Sequence, residues 1–93
     1  MNNLTSFKEA GLKYLTEFGW GPTDKGIKLL TAASTWEEVW QAFYAIADAV
    51  GDRKGWGSEG VGSLHEEMLL DVSNSSKIEF AEEYANELDQ PKG

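Results

Sequence analysis

The sequence predicts an all-α fold, a small single-domain bundle of about five short helices with a glycine-rich loop between the third and fourth helices. The first observation is a Ser-x-x-Glu pattern that occurs four times, at Ser6, Ser34, Ser63 and Ser76, and that is typical of a capped helix start. The second is that apolar residues recur at three- and four-residue intervals, whereas clean alternation with polar residues is absent. The third is the length of 93 residues, which suits one domain with one core.

The first two predicted helices are separated by glycine and proline. We expect the first helix to run from Ser6 to Phe18, because the FGWGP stretch at its end contains Gly19, which suits a helix C-terminus, and Pro22, which cannot continue a helix. A short second helix is predicted from position 23 or 24 to Ala33.

The third helix, predicted from Thr35 to Val50, has the clearest apolar face and is expected to be the central element. At about 100° per residue, seven apolar residues fall on one side of this helix. They are Trp36, Val39, Trp40, Phe43, Ile46, Ala47 and Val50.

Two acidic helices are predicted within residues 63–89. The fourth helix runs from Ser63 to Val72 and is broken by the SNSS stretch, and the fifth runs from Ser76 to Leu88. Residues 90–93 are predicted to be a frayed tail. The side chains of the fifth helix that we expect to face the core are Ile78, Ala81, Tyr84, Ala85 and Leu88.

The stretch GDRKGWGSEGVGS, which begins at position 51, is predicted to form a loop over residues 51–62. It contains a G-x-G-x-x-G match from Gly55 to Gly60, but a dinucleotide site requires a preceding strand and a βαβ unit, and neither is predicted here. The loop is therefore interpreted as a helix connector or as a binding element. Trp56 either fills the core or stands out as an anchor for a partner, with Arg53 and Lys54 forming a small basic spot beside it.

The composition argues against catalysis and metal binding. The chain has no cysteine, which excludes disulfides, thiolate nucleophiles and cysteine-based zinc sites. His65 is the only histidine and lacks the second histidine of an H-E-x-x-H motif, while Glu66, Glu67 and Asp71 lack the spacing of an EF-hand. The serines lie mainly at helix caps and form no nucleophile elbow. We therefore expect no enzyme activity, no cofactor and no bound metal.

The net charge of -8 is concentrated in the C-terminal third of the chain. Residues 1–58 hold seven acids and six bases, whereas residues 59–93 hold nine acids and two bases. Such a surface repels nucleic acid phosphates and anionic lipids, and it attracts cationic partners. Because no secretion signal and no membrane-length apolar run is found, we expect a cytoplasmic protein that contacts neither nucleic acid nor membrane directly.

The candidate partner-binding surface lies on the fourth and fifth helices. Clustered like charges weaken a helix by roughly 0.2–0.5 kcal/mol per pair, and Lys77 is the only base among them, which favours a surface for a cationic partner. Phe80 is expected at the border of the apolar face, where an exposed aromatic beside carboxylates is typical of a binding hot spot. The predicted contact residues are Glu66, Glu67, Asp71, Glu79, Phe80, Glu82, Glu83 and Glu87.

The leading functional hypothesis is a small inhibitor that occupies a cationic, often nucleic-acid-binding, site on a toxin, nuclease or defence complex. Immunity proteins and phage anti-defence proteins, including anti-CRISPR-like and DNA-mimic-like ones, are of this general kind. One alternative is an assembly module, a homo-oligomer that uses its eleven aromatic residues as an interface. Another is a small-anion or nucleotide-binding domain that uses the glycine-rich loop, with Arg53 and Lys54 holding the anion.

Overall fold

The computed structural model of the chain describes residues 2–89, and within this range it contains five α-helices and no strand. This confirms the predicted all-α class and the number of helices. The predicted frayed tail, residues 90–93, lies outside the described residues. The helices are α1 (Asn3–Glu17), α2 (Asp24–Ala32), α3 (Trp36–Lys54), α4 (Ser58–Ser76) and α5 (Phe80–Asp89).

Helix α3 is the centre of the fold, since it packs against α2, α4 and α5, while α1 covers α2 and α4. The predicted apolar face of α3 is confirmed with one exception, because Trp40 is only half-buried and its ring stacks on that of Tyr44 at 5.3 Å. The side chains that are almost completely buried come from four helices. They include Phe7, Leu15, Leu30, Val39, Phe43, Ile46, Val50, Met68 and Val72.

A cluster of aromatic rings joins α1, α3 and α5. The ring of Phe7 lies 5.4 Å from that of Trp36, 6.4 Å from that of Phe43 and 5.5 Å from that of Phe80, measured between centroids. Trp36 and Phe80 contact each other edge to face at 5.8 Å. Each such pair adds about 0.5–1.5 kcal/mol to the stabilisation from burial alone. This aromatic cluster is what fixes α5 onto the rest of the bundle.

The helix starts differ from the predicted capping patterns by a few residues. Helix α1 begins before Ser6, because the side chain of Asn2 accepts a hydrogen bond from the backbone N–H of Thr5 at 2.9 Å. At α3 the cap is Thr35, and the Glu38 carboxylate accepts from the backbone N–H of Ser34 at 2.9 Å. That backbone hydrogen bond is the main reason that the pKa of Glu38 is lowered.

The predicted loop over residues 51–62 is wrong, since only positions 55–57 separate α3 from α4. Helix α3 continues to Lys54 and ends at Gly55, whose φ of 73° lies in the left-handed region that favours glycine. The backbone N–H of Trp56 then donates to the carbonyl of Gly51 at 2.8 Å. The link is thus a short, hydrogen-bonded turn between two helices that contact each other, and not a long connector.

Glycines inside these two helices permit close packing. A Cβ at Gly51 would overlap the side chain of Val61, and a Cβ at Gly60 would lie 3.1 Å from the Cβ of Trp56. The predicted loop residues Arg53 and Lys54 belong to the last turn of α3, where positive charge is favourable at the negative end of the helix dipole. Gly51 and Gly60 are therefore needed where α3 and α4 pack closely. This need for small residues gives the stretch a glycine content that resembles that of a loop.

The SNSS stretch does not break α4, which continues to Ser76. The hydroxyls of the serines satisfy backbone groups at the turn into α5: the N–H of Phe80 donates to the Ser73 hydroxyl at 3.2 Å, and the N–H of Ile78 donates to that of Ser76 at 3.3 Å. Lys77 ends the helix with a φ of 61°. The serines thus belong to the last turns of α4, and the hydroxyl that accepts from the first residue of α5 is that of Ser73 and not that of the predicted cap Ser76.

Helix α5 is rotated relative to its predicted orientation. Phe80 is only 6% exposed and Tyr84 stacks on it at 5.4 Å, so these two residues face the bundle. Ala81, Ala85 and Leu88, which were expected to face the core, are exposed instead. The reason is that the aromatic cluster accepts the large ring of Phe80, which buries more apolar surface than the alanines could.

We expect Gly51→Ala to destabilise the fold by about 1–2 kcal/mol. Overpacking against Val61 costs about 1–3 kcal/mol, and the higher helix propensity of alanine offsets up to about 1 kcal/mol of that. Gly62→Ala is the matched control, because a Cβ there meets no atom within 4 Å, and it should be neutral or stabilising. Urea denaturation of the two variants measures the difference, and equal stabilities would contradict the close packing of α3 on α4.

Candidate functional site

The acidic surface predicted from the sequence lies on α4, α5 and the turn between them. Residues 58–89 contain nine acids and one base, Lys77. Some of the predicted contact residues are buried or form hydrogen bonds to other helices, and the others are exposed. The exposed carboxylates of the predicted set are Glu66, Glu67, Asp71, Glu79 and Glu82.

Glu83 and Glu87 do not point away from the bundle as predicted. The two carboxylate oxygens of Glu87 accept hydrogen bonds from the backbone N–H groups of Trp36 at 2.7 Å and Glu37 at 3.0 Å. Glu83 accepts from the side-chain amide of Asn3 at 2.7 Å. The first-turn N–H groups of a helix lack intrahelical partners and carry partial positive charge, so Glu87 caps α3 from another helix. Both carboxylates therefore stabilise the position of α5.

Phe80 is also corrected by the structure. It was predicted at an exposed border as part of a binding hot spot, but it is a core residue of the aromatic cluster. The rotation that buries Phe80 is the same one that turns Glu83 and Glu87 inward. Its consequence is that a different, apolar stripe of α5 reaches the surface.

A surface depression of about 660 Å³ lies between α4 and α5, and we call it the α4–α5 groove. Its lining is largely apolar, and charged side chains lie at its rim. Leu70, which lines the groove, is 59% exposed. The apolar lining consists of Leu69, Leu70, Ile78, Phe80 and Ala81, and the charged rim consists of Glu66, Lys77 and Glu79.

Glu67 and Asp71 lie on another side of α4, in a pocket of about 330 Å³ that they share with Tyr14 and Trp20. The Tyr14 hydroxyl donates to the Asp71 carboxylate at 3.4 Å. Burial, together with the negative charges of Asp71 and Glu67 and the hydrogen bond to Asp71, raises the pKa of Tyr14 to about 12. The predicted acidic face is thus two separate acidic surfaces, because residues one apart on a helix point about 100° apart.

Trp56 neither fills the core nor stands alone. It is 37% exposed, its ring covers the Gly60 backbone, and it meets Trp20 edge to face at 6.5 Å. The Lys54 ammonium lies 5.4 Å from the Trp20 ring and 5.9 Å from the Trp56 ring, within range of cation–π attraction. Arg53, which precedes Lys54 in the sequence, is exposed.

Trp20 is the residue that the sequence analysis missed. It is 57% exposed and belongs both to this tryptophan pair and to the Tyr14 pocket. The signal was present in the FGWGP stretch, where a tryptophan between two glycines has no helical neighbours to cover it. A large aromatic at such a position is a candidate contact residue.

His65 is a structural residue. It is 4% exposed, and its Nε2–H donates to the backbone carbonyl of Trp40 at 3.1 Å. The imidazole meets the rings of Trp40 and Tyr44 edge to face, at 4.6 Å and 5.4 Å. Burial lowers the pKa of His65, because the charged imidazolium is poorly solvated there.

Within residues 2–89, no group of three or more histidine, aspartate or glutamate side chains is arranged to hold a metal ion. None of the helices in that range is both long enough and apolar enough to cross a membrane. Comparisons with protein-family models, with curated proteins and with solved structures found no match to this chain. Its function is therefore argued from its own surface.

We expect Glu87→Ala to lower the free energy of unfolding by about 0.5–2 kcal/mol, the range found for the loss of helix N-terminal caps. The variant leaves two N–H groups of α3 without their carboxylate partner. Glu82→Ala, an exposed change on the same helix, should stay within about 0.5 kcal/mol of the parent. Chemical denaturation compares them, and a neutral Glu87→Ala would contradict the capping role.

The stability of the protein should depend on pH through His65. Because the pKa of His65 in the folded protein lies below the ordinary value of 6.5, the unfolded chain takes up a proton first as the pH falls. Stability is therefore highest above about pH 7 and decreases through pH 6.5 toward the lower folded pKa. Urea midpoints at several pH values measure this slope, which should be smaller in His65→Gln. An equal slope in both proteins would assign the dependence to other groups.

Proposed function

We propose that this chain is a cytoplasmic protein-binding inhibitor that docks its α4–α5 side on a cationic surface of another protein and blocks it. The partner class is a toxin, a nuclease or a defence complex whose own site binds nucleic acid. Inhibition follows from occupancy, since an acidic protein seated on that surface excludes the phosphates that the surface would otherwise bind. The proposal assigns no catalytic residue, cofactor or metal.

The observation that carries the proposal is an exposed apolar groove beside exposed carboxylates. Protein interfaces commonly combine an apolar centre with a polar rim that excludes water. The α4–α5 groove offers Leu70 and Ile78 at its centre, with Glu66 and Glu79 at its rim. The net charge of -8 on residues 58–89 supplies the long-range attraction for a cationic partner.

The groove favours a protein-binding inhibitor over a strict DNA mimic. A mimic of duplex DNA needs regularly spaced negative charge with little apolar surface, because it replaces phosphates alone. Here the carboxylates fall on two sides of α4, and the groove beside Glu66 is lined by apolar residues that include Leu70 and Ala81. Contacts to an apolar patch on the partner are therefore part of the proposed binding mode.

The proposal is tested by capture from a lysate of the organism that encodes the chain, using a test variant and a control variant with equal charge loss. The test variant carries E66Q, E67Q, E79Q and E82Q. The control carries E9Q, E37Q, D48N and D52N, all exposed positions outside α4 and α5. Screening by salt should weaken capture by the parent protein.

The expected result is a basic protein that the parent and the control retain and that the test variant loses by at least about tenfold, equivalent to roughly 1.4 kcal/mol. The purified partner should lose its own activity in proportion to added inhibitor, up to one equivalent. Equal capture by test and control variants, or a captured partner that remains fully active, would contradict the proposal.

A second candidate function, self-assembly, is favoured by the exposed tryptophan pair. Trp20 and Trp56 form an aromatic surface patch, and Tyr44 is exposed on α3. Size-exclusion chromatography with light scattering would give a dimer mass that Trp20→Ser converts to a monomer. The anion-binding alternative has lost its premise, because the glycine-rich stretch is helical apart from positions 55–57.

A further inference from the structure

We infer that the α4–α5 groove binds an amphipathic basic helix of about three turns, supplied by the partner protein. This inference rests on the proposed function and names the form of the partner segment. A helix in a groove is one of the recurring ways in which proteins recognise peptide segments, and its affinity comes from apolar anchors spaced three and four residues apart.

The length of the groove matches such a helix. On the α4 side, groove residues recur from Glu66 through Leu70 and Ser73 to Lys77, at intervals of three and four positions along one stripe of the helix. Eleven steps at about 1.5 Å each give a groove wall of roughly 16 Å. An occupying helix of three turns has the same length, so its apolar stripe could contact the whole wall.

The α5 side extends the apolar surface. Ala81 lines the groove, and Ala85 and Leu88 follow it on the same stripe of α5. Leu88 is 59% exposed, as much as Leu70. The small alanines let a neighbouring helix approach closely, and the two exposed leucines offer larger apolar contacts. This stripe is exposed because the aromatic cluster holds the opposite side of α5.

Charge determines which helix fits. The rim carries Glu66 and Glu79 against one cation, Lys77, and Glu82 is exposed beside Ala81. An occupant with lysine or arginine on its flanks would complement these carboxylates, whereas acidic flanks would be repelled. A second copy of this chain would bring its own acidic α4 and α5 to the same place. Charge therefore favours a basic partner helix over a dimer through this groove.

The experiment measures binding of three fluorescein-labelled 15-residue synthetic peptides by anisotropy at about 150 mM salt, where long-range attraction is screened. The first peptide has a leucine stripe and lysine flanks, the second has the same stripe with glutamate flanks, and the third is a scrambled form of the first that lacks the stripe. The parent protein should bind the first peptide at least about tenfold more tightly than either of the others.

Leu70→Glu separates groove binding from general attraction, because it adds negative charge while removing the apolar centre. Leu29→Glu is the matched control, since Leu29 is a 40% exposed leucine on α2 and the charge change is the same. Binding of the first peptide should fall at least about tenfold in Leu70→Glu and stay within about twofold of the parent in Leu29→Glu. Glu66→Lys combined with Glu79→Lys should reverse the preference toward the glutamate-flanked peptide.

Equal binding by Leu70→Glu and Leu29→Glu, or equal binding of the scrambled and amphipathic peptides, would overturn the groove inference. Circular dichroism of both variants checks that each is folded as the parent is. The outcome is separable from the proposed function: a captured basic partner that Leu70→Glu still retains would leave the inhibitor proposal standing and reject the groove. Helix binding in the groove with no partner captured would reject the inhibitor proposal alone.

Discussion

The docking of Phe80 between Phe7 and Trp36 is the interaction on which the rest of the surface depends. It fixes the rotation of α5, and that rotation decides which side chains of α5 meet the bundle and which meet solvent. Glu87 is carried to the start of α3 by the same rotation, where its carboxylate accepts two backbone hydrogen bonds. Burial of the Phe80 ring and capping of α3 by Glu87 thus favour the same orientation of α5.

Sequence reasoning predicted the helical class and the core face of α3, because a long amphipathic helix carries a strong periodic signal. Ile78 and Tyr84 pack against the core as predicted. Ala81, Ala85 and Leu88 do not, because they satisfy helical periodicity as well as Phe80 does and the sequence pattern cannot choose between them. Only the position of Phe7 and Trp36 in space decides between the two faces. The glycine-rich stretch was wrongly predicted to be a loop for a related reason. Glycine is common both in turns and where two helices pack closely, and the sequence alone does not distinguish these two uses. Five of the predicted acids are exposed, but their division between two surfaces depends on how α1 and α5 pack around α4.

The acidic character of α4 and α5 has two separate physical consequences. Glu83 and Glu87 lower the cost of their own charge by accepting hydrogen bonds from α1 and α3. Among the exposed carboxylates, Asp71 accepts from the Tyr14 hydroxyl of α1, whereas Glu66, Glu79 and Glu82 make no hydrogen bond to another helix within the described residues and remain repulsive toward one another. The charges of Glu83 and Glu87 therefore stabilise the fold, whereas the mutual repulsion of the exposed carboxylates lowers the stability of the helices. That difference is the physical reason for attributing the exposed set to recognition.

The order in which the chain can assemble follows from how far apart its contacts lie in sequence. The turn between α3 and α4 closes over residues 55–57, whereas Glu87 contacts Trp36 across 51 positions and Glu83 contacts Asn3 across 80. Closing a short segment costs little chain entropy, so the α3–α4 hairpin is favoured early and the attachment of α5 comes late. The link between α4 and α5 is equally short, at positions 77–79, but the rotation of α5 that shapes the groove is set only when α5 attaches to α1 and α3. A partially assembled chain therefore exposes its apolar core before it possesses the surface that we propose for recognition.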